Sequence, residues 1–87
     1  MKTNNLLNKI RLDILTHINK HENDIKLDIA RDTDVTFSQI NKILKKELLP
    51  LGIIKPMEKQ GRRVYINLTE KGKILLDYYK KIKKLLR

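Results

Sequence analysis

The chain contains no cysteine. That excludes disulfides, thiolate metal centres and thiol nucleophiles. No apolar run approaches the roughly 18 residues of a membrane span. The opening "MKTNNLLNKIRLD" lacks the apolar core of a signal peptide, so a soluble cytoplasmic or nucleoid protein is expected. With only three glycines there is no glycine-rich loop to cradle a phosphate. No nucleophile–base pattern or acid–base pair stands out, so neither an enzyme nor a cofactor is expected. Acidic residues are few, at 10 against 20 Lys and Arg.

What remains is a basic chain of 87 residues, net charge +10, enough for one domain. Residues 1–45 carry 8 Lys/Arg and 6 Asp/Glu, net +2, whereas residues 46–87 carry 12 and 4, net +8. A basic surface gathered in one half suggests a polyanionic partner, nucleic acid before membrane. A domain of this size buries only roughly 60–65% of its unfolded surface, so a dimer interface would help it.

Periodicity predicts a mainly α-helical protein with one small β-hairpin. A helix is expected over 4–20, capped by Asn4 or Asn5. Leu7, Ile10, Ile14 and Ile18 share one face, and Leu12 lies nearly opposite, open to a second subunit. Asp13, His17 and His21 follow at i, i+4 and i+8; this reads as a solvated face, and no metal site is expected. A short helix spans 24–31, with Ile25, Ile29 and Ala30. "TFSQ" is a capping box that opens a helix over 36–49 and is stopped by Pro50 and Gly52. Its buried stripe is Phe37, Ile40, Ile43, Leu44 and Leu48. "GIIKPMEKQGRRVYINL" reads as a hairpin over 53–68, with arms 53–57 and 62–68 and a turn at 58–61. Thr69 caps a last helix over 69–86.

The second and third helices form a candidate helix-turn-helix. Ala30, the chain's sole alanine, fits where two helices cross closely. Asp34 falls in the turn, where left-handed backbone is expected. Thr36, Ser38, Gln39, Asn41, Lys42, Lys45 and Lys46 face outward on the third helix. Asn and Gln can bond adenine edges, and Lys can reach guanine or phosphate. Asn41 and Lys42 are the candidate base contacts; Lys45 and Lys46, further along, suit phosphate. A merely solvated polar face would carry similar residues.

A helix-turn-helix followed by an Arg-tipped hairpin has the order of a winged helix. "FSQINKILKKELLPLGIIKP" and "GRRVYINLTEKGK" resemble the winged helix-turn-helix transcription regulators of the MarR type and similar short archaeal and viral proteins. Leu48 with Gly52, Ile53 and Ile54 follows their helix exit, and Leu68, Thr69 and Gly72 follow their wing-to-helix junction. The resemblance implies a recognition helix from Thr36 to Lys46 and a wing carrying Lys59, Arg62 and Arg63 to the minor groove or its phosphates. It also implies a homodimer on palindromic double-stranded DNA. Pro50, a short wing and the absence of long flanking helices depart from the pattern, so no small-molecule effector is expected.

In the last helix, Leu75, Tyr78, Ile82 and Leu85 recur at spacings of 3, 4 and 3, a seam for dimerisation that Tyr79 and Leu12 extend. The same basic, amphipathic tail could instead pack on its own domain or lie on a membrane surface. Two other functions stay open at this level: a nucleoid-type architectural protein with little sequence preference, and a protein- or membrane-interaction module.

Overall fold

The computed structural model describes residues 9–86. Asn4, Asn5 and Leu7, named above for the first helix, lie outside them. The element order is α1 (Lys9–Lys20), α2 (Lys26–Asp32), α3 (Phe37–Ile43), β1 (Glu58–Gln60), β2 (Arg63–Tyr65) and α4 (Glu70–Leu85). The chain is therefore mainly helical, with a small antiparallel hairpin. One core, including Ile14, Ile29, Ile40, Leu44, Ile66 and Leu76, joins all four helices to the base of the hairpin.

Helix α1 buries more than one stripe. Leu12, Ile14, Leu15 and Ile18 are all buried, because α2 packs on one side of α1 and α4 on another. Leu12 is thus a core residue at 8% exposure, not an outward dimer contact. The Arg11 guanidinium adds a bidentate pair to Glu47, at 2.7 and 2.6 Å, which fastens α1 to the end of the third helix.

The predicted capping box at α3 forms as written. Thr36 Oγ1 accepts from the Gln39 N–H at 3.2 Å, and Gln39 Oε1 accepts from the Thr36 N–H at 3.3 Å. The helix then widens into a π-helical turn, Leu44–Leu48. The Leu49 N–H reaches the Leu44 carbonyl at 2.9 Å, and the Ile53 N–H reaches that of Leu48 at 2.9 Å. Leu44 and Leu48 both stay in the core through this widening, and Pro50, which has no N–H, ends it. Phe37 departs from the expected stripe. It is 50% exposed, since the first turn of α3 projects beyond the core.

The α2–α3 turn needs no left-handed residue at Asp34. Thr33 is extended (φ −124°, ψ 163°), and its hydroxyl donates to the Ile29 carbonyl at 2.7 Å, closing the end of α2. Among the described residues, the non-glycine with positive φ is Asn23 (φ 56°), in the α1–α2 loop. Asn tolerates that conformation better than most residues.

The hairpin is shorter than expected and its tip lies further along. Gln60 pairs with Arg63, leaving Gly61 and Arg62 as a two-residue loop. A tight loop of this length needs positive φ at its first position, and Gly61 supplies it at +64°. Glu58, Lys59 and Gln60 therefore lie in β1 rather than in the turn. Pro56 cannot donate to a ladder, and below it the pairing continues only as an isolated bridge, Ile54 with Leu68. Ile66 pairs instead with Asp24 of the α1–α2 loop, by bonds of 2.8 and 3.0 Å.

The wing returns to α4 through a junction centred on Ile53. Its carbonyl accepts the Thr69 N–H at 3.0 Å. Thr69 Oγ1 accepts from the Gly72 N–H at 3.0 Å and donates to the Gly52 carbonyl at 2.5 Å. Gly72 packs so closely here that a Cβ would collide with the Ile53 carbonyl oxygen.

His17 and His21 do not form a solvated face with Asp13. His17 is buried, and its ring stacks on that of His21 at 4.2 Å. Its Nδ1 lies 2.6 Å from Asp24 Oδ2 and its Nε2 lies 2.7 Å from Asp32 Oδ2. Only an imidazolium donates from both nitrogens, and it then has no lone pair left for a metal. Burial opposes the charge, but the carboxylates of Asp32 and Asp24 outweigh it and hold the His17 pKa above its ordinary 6.5. The bond from His17, with Arg31 second, holds the Asp32 carboxyl below its usual value.

Two predictions follow from these contacts. Gly72→Ala is expected to lower stability by about 1–3 kcal/mol, because the obstructing atom is backbone and cannot rotate aside. A urea midpoint equal to wild type would contradict the junction. For His17, the raised folded pKa means that its stabilisation is complete below about pH 6.5, the unfolded value. It is lost as pH rises through the folded value. The urea midpoint should accordingly fall from pH 6 towards alkaline pH in wild type and fall less in His17→Gln; equal slopes would remove the clamp as the cause.

Candidate nucleic-acid interface

Helix α3 presents Ser38, Gln39, Lys42, Lys45 and Lys46 to solvent, with Thr36 exposed at its cap and Asn41 half-buried. The outward face predicted for this helix is thus an accessible surface. Its members are not equally free. Thr36 and Gln39 are bonded to each other in the capping box. Asn41 Oδ1 accepts from Lys26 Nζ at 2.5 Å. A bidentate contact from Asn41 to adenine needs that oxygen as well as the amide donors, so Lys26 would have to move aside. Among the described residues, no side-chain hydrogen bond commits Ser38 or Lys42 in this way.

Lys26 was not singled out in the sequence. It opens α2, and no periodic signal marks it. Tertiary packing brings it beside Asn41 and near Lys45. Burial first, and the Lys45 charge second, push its pKa down. An anion placed there would relieve both effects.

On the wing, Lys59 lies in β1, Arg62 in the tight loop and Arg63 at the start of β2, all exposed. The hairpin folds back toward the helices. Arg62 and Arg63 line a groove of about 370 Å³ together with Lys26, Leu27 and Phe37. The two arginines and the first turn of α3 are therefore walls of one surface, joined by a third cation from α2.

A second surface lies on α4. The predicted seam divides between the domain and solvent. Leu75 and Tyr79 pack against the core, and Leu76, which the sequence pattern passed over, is buried at 2% exposure. Tyr78, Ile82 and Leu85 remain exposed, and Ile74 joins them one turn earlier. The exposed stripe is therefore Ile74, Tyr78, Ile82 and Leu85. The reason is the junction at Gly72, which sets the rotation of α4 and brings Leu76 against the core. No helix among the described residues is long and apolar enough to cross a membrane.

No protein-family model matches the chain, and no curated protein matches it. Solved structures do. The chain is similar to AF1382 from Archaeoglobus fulgidus, with a TM-score of 0.80 and 26% identity over 97% of this chain and 96% of that one. A predicted DNA-binding transcriptional regulator from E. coli superposes with a TM-score of 0.73 and 17% identity, over 88% of this chain and 80% of that one. The Mycobacterium tuberculosis MarR family protein Rv2887, solved with salicylic acid, gives a TM-score of 0.69 and 20% identity. That match covers 87% of this chain but only 57% of Rv2887. The fold is a winged helix-turn-helix like that of MarR-type proteins.

Proposed function

We propose that the protein is a transcription regulator that binds double-stranded DNA as a homodimer. The observation that carries this reading is the groove in which Arg62 and Arg63 of the wing meet Lys26 and Phe37, the first residue of α3, on a chain of net charge +10. In this reading the first turns of α3 enter the major groove, where Ser38 and Lys42 meet base edges, with Asn41 once Lys26 releases it. Lys45, Lys46 and Lys26 hold phosphates. Arg62 and Arg63 reach the adjacent minor groove or its backbone, with Lys59 beside them. The likeness to a predicted DNA-binding regulator and to a MarR family protein supports the assignment at the level of fold.

Dimerisation assigns a role to the exposed stripe on α4. Ile74, Tyr78, Ile82 and Leu85 sit on a helix whose end extends past the core, since every residue from 80 to 86 is exposed. Pairing with a second copy would cover this stripe and give two recognition helices related by a two-fold axis. Such helices read half-sites about 34 Å apart.

Replacing Arg62 and Arg63 together by Ala is expected to weaken duplex binding by about 1–3 kcal/mol. It should also flatten the plot of log affinity against log salt by about two, one for each lost phosphate contact. Anisotropy titrations over a salt series read both quantities, and unchanged affinity would remove the wing from the interface. Ile82→Asp should convert a dimer to a monomer in analytical ultracentrifugation while far-UV circular dichroism keeps the folded spectrum, and the thermal midpoint should lose its dependence on protein concentration. A wild-type monomer at all concentrations would overturn the dimer.

A further inference from the structure

Phe37 is the chain's single phenylalanine, and half of it is in water. Leu27, on the neighbouring helix, is 64% exposed beside the same groove. Neither residue is needed at that place for the core. Helix α3 is already started by the Thr36–Gln39 capping box, and its inner face is filled by Ile40, Ile43 and Leu44. The groove is edged by Lys26, Arg62 and Arg63, with no acidic side chain in its lining. A second copy of this chain would bring the same three cations against these three. Exposed apolar side chains beside three cations instead fit a polyanion that carries an apolar group. In the major groove of DNA that group is the thymine 5-methyl.

We propose that Phe37, backed by Leu27, reads a thymine methyl in the major groove while Arg62 and Arg63 hold the neighbouring backbone. The inference rests on the DNA-binding reading above and deepens it by assigning a specificity-determining residue. Phe37 suits the role by position, because it is the first residue of α3 and the start of a recognition helix lies nearest the base edges. It suits it by stiffness too, as the capping box on either side of it fixes the helix start. Hydrogen-bonding neighbours such as Ser38 cannot make this distinction, since removing the methyl leaves every donor and acceptor of the base in place. The contact therefore adds a signal for thymine that polar side chains do not supply.

The test uses the full chain and a duplex recovered by in vitro selection. Each thymine of the duplex is replaced singly by deoxyuridine, which removes only the methyl. Wild type should lose about fourfold in affinity at one or two positions, the factor that burying a single methyl supplies. Phe37→Ala should bind the thymine duplex more weakly and show no further loss with deoxyuridine, whereas Phe37→Leu should retain part of the discrimination. Circular dichroism and the thermal midpoint confirm that both variants are folded. Wild-type indifference to deoxyuridine at every position would overturn the proposal, as would full methyl discrimination by Phe37→Ala. Failure to select any duplex would instead overturn the DNA-binding reading and this inference with it.

Discussion

The wing is held in place at its root, and the surface described here depends on that anchoring. A two-stranded hairpin with three residues in each strand has almost no stability of its own. Here its second arm is fixed twice below the strands. Ile66 exchanges both backbone bonds with Asp24, and Leu68 pairs with Ile54. Asp24 in turn is held by His17 of α1, and His17 by Asp32 at the end of α2. The single buried ring of His17 thus links the first helix, the loop before the second, the end of the second and, through Asp24, the base of the wing. Asn67 adds two bonds across the same seam: its Oδ1 accepts from the Asn23 backbone N–H, and its Nδ2 donates to Asn23 Oδ1.

That linkage matters because the domain is small. Its core is built almost wholly from Ile, Leu and Val, which pack well but do not by themselves fix one arrangement of helices. Polar contacts that cross between elements include His17 with two carboxylates, Arg11 with Glu47, Lys26 with Asn41, and Thr69 with the Gly52 carbonyl. Together they hold α1 to α2 and to the end of α3, and the root of the wing to α4, and Arg62, Arg63 and Phe37 line one groove.

Cations lie over α3, the wing and α4, and α4 also carries an apolar stripe. Phe37 and Leu27 place apolar area among the cations of the groove. Their exposure makes sense if the partner has an apolar group to offer. The same holds for Lys26, whose charge is poorly accommodated in the free protein and would be better accommodated beside a phosphate.

Local chemistry made much of this protein legible in its sequence. The helix order, the Thr36 and Thr69 caps, the stop at Pro50 and an arginine-bearing hairpin all follow from short-range rules. The polar residues of α3 were legible because helical spacing separates them from the core stripe. Contacts between distant residues were not legible. Leu12 is buried because two helices cover α1, and Leu76 rather than Tyr78 faces the core because Gly72 fixes the rotation of α4. Lys26 joins the candidate site only through α2–α3 packing, and the His17 pKa is raised only because Asp24 and Asp32 meet around it. Periodicity reports one preferred face of an isolated element. How many neighbours cover that element, and which partners a buried polar group finds, are settled only when the chain folds back upon itself.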